Sequence, residues 1–522
     1  MITYNKEQQL AIRYFNQSQN NSKEIYSVSG AAGTGKSTVI GGIVDIICAT
    51  KPNKKLVWFT DKTTGEPSSF EVASSFLILT PTGIAAQNVK SKLPAEFDIN
   101  IMTLHKLLHL TFTQLLKLIP EDATETQLQD ALAEAYKLTF NTYKFKHINH
   151  ILVDEVSMVH RLYLEMLIYI CRFHNIKLSL FGDFYQLPPV PLTLDEIVDE
   201  DNDIFEDEKT YHSTTSDFIS IINKFPHYNI QLTQVMRTDE FDFTSALSDY
   251  RNLKFAKLLN FNFNTTEQPY LLDATNIFYS NAEVKFTNTK IQNILFSESD
   301  KLPTTRQFIL SFAGTTANAT LSKSDQLMID NLIKVFNVMP TAHKGYKYVV
   351  DPELKKVISE NMFNEQFSLL RKQMSAFAKN IGMGISPVKF YDDERVMWRK
   401  NYGTPMVLAN GEIKKYDDIK DIVMTEFIIF QKKYKLMVNF TPITLAYAFT
   451  THKTQGIGIS GKLYINVDSL VKSGQIFYNM LYVALSRKKN DTTIFLNRPL
   501  QLDDFNNIDR NSITALNNFF SK

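Results

Sequence analysis

A chain of 522 residues with 44% hydrophobic and 21% charged residues is globular and too long for one ordinary core, with room for about three or four structural units. No run approaches the roughly 18 uninterrupted apolar residues of a membrane span, and the opening "MITYNKEQQL" lacks the apolar stretch of a secretory signal, so a cytoplasmic protein with no membrane partner is expected. A net charge of +1 with only Cys48 and Cys171 as cysteines excludes a disulfide framework and a cysteine metal cluster; nucleic acid stays open as a partner, because basic groups gathered in one groove can be balanced elsewhere.

The first predicted elements surround "IYSVSGAAGTGKSTVI", Ile25 to Ile40. Ile25 to Val28 reads as a buried strand, Gly30, Gly33 and Gly35 allow a tight loop, and a helix follows Lys36. This is a complete G-x-x-x-x-G-K-[ST] pattern in strand-loop-helix context. Its backbone N–H groups and helix dipole suit phosphates, Lys36 suits the β/γ oxygens and Ser37 suits Mg²⁺. Lys51 to Ser75 then reads as a hairpin, with Gly65 and Pro67 at its tip between Val57-Trp58-Phe59 and Phe70-Glu71-Val72. The strand "FLIL", Phe76 to Leu79, leads into "PTGIAAQNV" and "IMTLHKLLH", whose Thr82, Thr103 and His105 are unremarkable taken alone.

Further on, Glu125 to Thr139 spaces Leu128, Leu132, Ala135 and Tyr136 along one helix face. Asp154 and Glu155 follow the apolar strand Ile151 to Val153. A strand end there projects Asp154 toward a metal shell and lets Glu155 deprotonate an attacking water. The strand Leu178 to Phe181 ends at Gly182-Asp183 and carries Gln186, an amide placed to touch both the γ-phosphate and the water. Pro191 to Glu208 holds no Lys or Arg and reads as a solvated acidic loop. Arg237 and Arg487 sit at the edges of apolar stretches, where a cation can neutralise charge in phosphoryl transfer. Thr450, Thr451, His452, Lys453 and Gln455 form a polar patch closed by Gly456, suited to backbone phosphates. Strands at Ile277 to Tyr279, Leu463 to Val467 and Thr493 to Leu496 complete an α/β alternation implying two parallel sheets with nucleotide between them.

Read in order, these segments resemble superfamily 1 DNA helicases of the 5′→3′ branch, the RecD- and Dda-like group. "NKEQQLAI" looks like the Q motif, "GAAGTGKST" motif I, "LTPTGIAA" Ia, "TLHKLLH" Ib, "LVDEVSM" II and "FGDFYQLPPV" III, while "LTQVMRT" resembles IV, "FTTHKTQG" V and "LYVALSR" VI. The resemblance implies two RecA-like motor domains with ATP and Mg²⁺ between them. It makes Gln8 the adenine reader, and Gly30, Gly33, Thr34, Gly35, Lys36, Ser37, Thr38 and Gly456 the nucleotide contacts. Ser37 and Asp154 become metal ligands, Gln186 a nucleotide sensor, and Arg237 and Arg487 fingers on the γ-phosphate. Pro81, Thr82, Thr103, His105, Thr450, Thr451, His452 and Lys453 become contacts to single-stranded DNA.

The expected division is a first motor domain at 1–109 and 148–224, a duplex-separating insert at 110–147, a second motor domain at 225–300 and 441–522, and an SH3-like DNA-gripping insert at 301–440. "ERVMWRKNYGTP" and "ANGEIKKY" resemble barrel strands of that insert, around Val396 to Asn401 and Asn410 to Gly411, whereas Leu302 to Pro387 resembles nothing in the family. The expected activity is an ATP-dependent helicase acting as a monomer at single-strand/duplex junctions in replication, recombination or repair, beside proteins of those processes. An RNA-acting helicase and a DNA-stimulated ATPase that remodels protein–DNA complexes are the alternatives. The Asn- and Lys-rich composition fits a phage, which would place the protein in its host's cytoplasm.

Overall fold

The computed structural model describes residues 4–17, 24–50, 55–60, 67–72, 76–90, 93, 101–104, 107, 124, 126–127, 130, 148–189, 192–193, 210–211, 215–236, 238–297, 302–316, 321–339, 359–381, 383–400, 402, 407–408 and 411–520. The chain divides into two compact units, Met1–Val284 with Phe449–Lys522, and Lys285–Ala448.

Within the first unit, a six-stranded sheet runs in the order His227–Leu232, Ile25–Gly30, Lys177–Gly182, His150–Val153, Phe76–Thr80, Ile101–Thr103. Every pairing in it is parallel. Such strands are buried on both faces, and their side chains alternate between two cores. Phe76 and Ile78 join Tyr26, Val28 and Phe181 beneath the helices Lys6–Gln17 and Lys36–Thr50. Leu77 and Leu79 join Ile151, Val153 and Leu180 beneath the helix Arg161–Phe173. That helix starts where the His160 ring nitrogen accepts the Leu162 N–H, and it buries Leu162, Tyr163, Met166, Leu167 and Ile170, one stripe at helical spacing.

A second sheet in the same unit runs Asn264–Thr265, Lys488–Leu496, Ile459–Ile465, Ala274–Phe278, Ala448–Thr450. Its first three pairings are parallel. The helix Phe477–Leu485 packs Leu481 and Leu485 into the core shared with Leu463 and Ile465. Two parallel sheets therefore stand where the alternating pattern places them.

The hairpin is present as an antiparallel pair, Lys55–Thr60 with Pro67–Val72, in which Val57 faces Phe70 in the register; its tip lies outside the described residues. The expected helix Glu125 to Thr139 and the insert 110–147 fall almost wholly outside them too, as does most of the acidic loop.

The second unit has two cores. Strands Ile309–Thr315, Tyr434–Phe440 and Met424–Phe430 form an antiparallel sheet. Helices Lys323–Val338 and Glu360–Asn380 cover one face of it, through Ile329, Leu332, Phe336, Phe363, Phe367 and Leu370. The stretch without family resemblance thus builds a real domain core, its first helix started by a Ser322–Asp325 capping box. A smaller antiparallel sheet, Ile413–Lys415, Arg395–Trp398 and Ile443–Leu445, closes around Trp398, Tyr416 and Phe390. Val396 lies in its central strand, while Asn401 and Asn410 lie outside the described residues.

Candidate functional site: a cleft at the phosphate loop

The strand Ile25–Gly30 is buried throughout and ends at the loop. Gly30 is needed for space, since a Cβ there would stand 2.5 Å from the Thr34 hydroxyl oxygen and 3.0 Å from the Leu232 carbonyl. Gly33 and Gly35 both sit at φ 86°, a left-handed backbone that other residues adopt at a cost. Lys36 opens the helix. Its Nζ donates to the carbonyls of Gly30 at 2.9 Å and Ala31 at 3.2 Å, which holds the cation at the mouth of the loop.

Two neighbouring residues of the N-terminal helix brace this loop. Gln8 is buried; its Nε2 donates to the Thr34 carbonyl at 3.0 Å and its Oε1 accepts the Asn5 N–H. The same amide packs so tightly on Gly35 that a Cβ there would clash with Nε2. Glu7 accepts the N–H groups of Thr233 and Gln234 at 2.7 and 3.1 Å. The Met236 N–H in turn donates to the Gly33 carbonyl at 2.7 Å, laying the segment before Arg237 along the loop. Arg237 itself is outside the described residues.

Asp154 and Glu155 stand at the carboxyl end of the strand His150–Val153. The Ser37 hydroxyl donates to Asp154 Oδ2 at 3.2 Å, and the Glu155 N–H donates to Asp154 Oδ1 at 2.9 Å. Glu155 adopts a left-handed backbone, φ 52° and ψ 42°, and its buried Oε2 has no hydrogen-bond partner among the described residues. Strain and an unsatisfied carboxylate oxygen in one residue are unusual outside working sites. Gln186, 3% exposed, also keeps a buried Oε1 without a partner among the described residues, while its Nε2 donates to Asp183 Oδ2 at 3.3 Å.

From the second sheet come Gly456 and Arg487. Arg487 is 1% exposed; its guanidinium donates to the carbonyls of Val483 at 2.9 Å and Thr454 at 3.1 Å and to the Ser486 hydroxyl at 2.7 Å. Together Gly33, Gly35, Lys36, Ser37, Thr38, Glu155, Gln186, Met236, Gly456 and Arg487 line a cleft of about 290 Å³. Gln8, Gly30, Thr34 and Asp154 support that lining from behind it.

The residues proposed for DNA are more scattered. Thr80 and Thr103 are register partners, so Pro81, Thr82 and Thr103 share the carboxyl edge of the first sheet. Thr82 Oγ1 accepts the Ala85 N–H and so starts the helix Gly83–Lys90. His105 lies outside the described residues. Thr450 and Thr451 are buried, Thr451 completely, while His452 and Lys453 are half-buried on a short 3-10 turn, Thr451–Thr454. Burial pushes the His452 imidazole below its ordinary pKa, which favours the neutral ring near pH 7.

Sequence reasoning missed the residues that tie the two sides of the cleft together. Asn479 Nδ2 donates to the carbonyls of Tyr185 at 3.0 Å and Gln186 at 2.9 Å, and the Tyr482 hydroxyl donates to Asp183 Oδ2 at 2.8 Å. The spacing of 479 and 482 on one helix was the available signal, but only the fold shows what they face.

The AAA domain family matches residues 16–191. The ATP-dependent DNA helicase Pif1 of Campylobacter jejuni is 26% identical over 421 residues, covering 77% of this chain and 79% of that protein. Among solved structures, Pif1 helicase from Candida albicans aligns over 99% of this chain and 100% of its own at TM-score 0.54 and 15% identity. Pif1 from Bacteroides sp in complex with ADP-AlF4 aligns over 100% and 98% at TM-score 0.50 and 18% identity. At those identities the structures speak to the fold, and the fold agrees with the motif order. The AAA domain match and the likeness to Pif1 agree with the motif order, and the chain is similar to superfamily 1 helicases of the RecD-like and Pif1-like branch.

Proposed function

We propose that the protein is an ATP-dependent DNA helicase that moves 5′→3′ on single-stranded DNA and opens duplex ahead of it. The observation that carries this reading is the cleft in which Lys36, Glu155 and Gln186 from one sheet face Gly456 and Arg487 from the other. Lys36 exchanges its loop carbonyls for the β/γ oxygens of ATP. Glu155 Oε2, without a partner, takes the proton of the attacking water, and Gln186 Oε1 orients that water. Arg487 and Arg237 meet the charge that builds on the γ-phosphate. The adjoining oxygens of Ser37 and Asp154 suit Mg²⁺, which takes few protein ligands and completes its shell with phosphates and water. Bound there, the ion would neutralise phosphate charge.

Closing and opening the cleft alters the grip on DNA by the Thr82 and Thr103 edge and by the His452–Lys453 turn, which steps the protein along the strand. Residues 110–147 serve as the separating element, and the small sheet around Trp398 as the SH3-like gripping subdomain. We place the protein as a monomer in the cytoplasm, working at single-strand/duplex junctions in replication, recombination or repair.

A panel of ATPase and strand-displacement assays with single-stranded DNA and RNA tests this. ATPase should be low alone and rise with DNA, and DNA binding should weaken steeply with salt. Equal unwinding of forks bearing only a 3′ overhang would overturn the polarity. Stimulation by RNA alone would make it an RNA helicase, and stimulation by DNA without strand separation a remodelling ATPase.

A further inference from the structure

Behind the cleft lies a buried polar cluster that the hydrolysis chemistry does not use directly. Asp183, 0% exposed, accepts the Tyr482 hydroxyl at 2.8 Å and the Gln186 amide at 3.3 Å on one oxygen, and faces Arg251 Nη2 at 3.7 Å with the other. The Arg251 guanidinium also lies over the Tyr185 ring at 4.1 Å, and the Tyr185 hydroxyl is held by Asn517. A buried carboxylate is costly unless its partners are in place, so Asp183 has one favourable position, fixed by Tyr482 and Arg251. Burial first, and then the Asp183 charge, hold the Tyr482 hydroxyl well above its ordinary pKa; it remains a donor. Asn479 and Tyr482, three residues apart on the helix Phe477–Leu485, present one face to this loop, and Arg487 follows at the same helix's end.

We propose that Tyr482 and Arg251 are positioning residues for hydrolysis: through Asp183 they set the amide of Gln186, so that the water is aligned only when the helix Phe477–Leu485, with Arg487 just past its end, has closed on the cleft. One carboxylate then couples the sensor in the first lobe to the finger in the second. This rests on the ATPase reading above. The two donors act through Gln186 and touch no reacting atom. If the helix withdraws, Asp183 loses Tyr482 and Gln186 is freed to turn, which keeps turnover low until both lobes are engaged.

The test compares Tyr482→Phe with Tyr250→Phe. Tyr250 lies in the same aromatic stack, 4.5 Å from the Tyr478 ring, and its hydroxyl donates to a backbone carbonyl instead of Asp183. Tyr250→Phe removes one buried hydrogen bond, whereas Tyr482→Phe removes the donation to Asp183 and the bond its oxygen accepts from the Ala32 N–H, so it should lower Tm somewhat more. Tyr482→Phe should cut DNA-stimulated kcat about tenfold with KM for ATP moving less than about threefold, and Tyr250→Phe should leave kcat within about twofold of wild type. Added to Gln186→Ala, Tyr482→Phe should cost no more than about a further twofold, because the two act in series. Equal kcat in the two tyrosine variants, or fully additive losses with Gln186→Ala, overturns the proposal. Arg251→Met, which keeps a stem on Tyr185 without the charge, repeats the test if Tyr482→Phe folds poorly. A wild-type chain that does not hydrolyse ATP would sink the enzymatic reading itself; normal wild-type turnover with an unaffected Tyr482→Phe sinks only the positioning.

Discussion

The two sides of the cleft are built to opposite specifications. On the first-sheet side, Glu155 and Gln186 each keep one buried oxygen without a hydrogen bond among the described residues, beside the Ser37–Asp154 and Gln186–Asp183 bonds. On the second-sheet side, Arg487 spends its donors on Thr454, Val483 and Ser486. Unsatisfied acceptors lower the cost of taking in a water, whereas a satisfied guanidinium must exchange partners before it can serve a phosphate. The exchange becomes favourable once negative charge has built up there. The first lobe is therefore set for the ground state, and the second for the transition state.

Mutations on the two sides should separate along that line. The largest effect is expected from Lys36→Ala, which should abolish turnover, and from Glu155→Gln, which should stop hydrolysis while ATP and DNA still bind; wild-type ATPase in the Glu155→Gln protein would remove the base from the scheme. Arg487→Ala should lower DNA-stimulated kcat by about 10³ with little change in KM for ATP. A rise in KM alone would show that Arg487 binds the ground state and erase the contrast between the two sides.

Gln8→Ala sharpens the first-lobe half of the contrast. It removes the brace on Thr34 and should cost about 1 kcal/mol of stability with a raised KM, seen by thermal melting and ATP titration. An unchanged melting point would mean the loop holds itself. The smallest effect concerns the second lobe's own frame. Burial raises the Glu283 carboxyl, but donors from Lys472, Ser469 and Ser280 outweigh it and bring the pKa to about 2. A pKa lower in the folded than in the unfolded chain adds stability above the ordinary carboxylate value and loses it as pH falls toward 2. Glu283→Gln should thus cost about 1 kcal/mol or less at pH 7, discounted for partial exposure, and progressively less below pH 4. A constant deficit across that range would show that packing, and not charge, is what Glu283 provides.

The parts of this machine legible in the sequence are those in which chemistry and chain order coincide. Gly30 to Ser37 is contiguous, and its glycines, cation and hydroxyl announce their use; Asp154 and Glu155 are marked by the strand before them. Tyr482 and Asp183 meet across 299 residues of chain, and neither residue type is diagnostic alone. The helix Lys323–Val338, in a stretch where sequence reasoning expected no element, spaces Met328, Ile329, Leu332, Ile333 and Phe336 along one buried face. What the spacing lacks is the identity of the sheet those residues cover, which only the pairing of Ile309–Thr315 with Tyr434–Phe440 supplies. Thr450 and Thr451, expected as contacts to DNA phosphates, are folded inward by the turn, a burial that their residue types do not announce.

The bond between Gln8 and the Thr34 carbonyl carries a kinetic consequence. Because the fold itself fixes the phosphate loop, binding a nucleotide freezes little backbone, and the affinity gained is shared by any ligand bearing the same inner phosphates. ADP should then dwell at the loop nearly as well as ATP, so that product competes with substrate for the same preformed cradle, and a titration of ADP against ATP on the wild-type and Gln8→Ala proteins would show it.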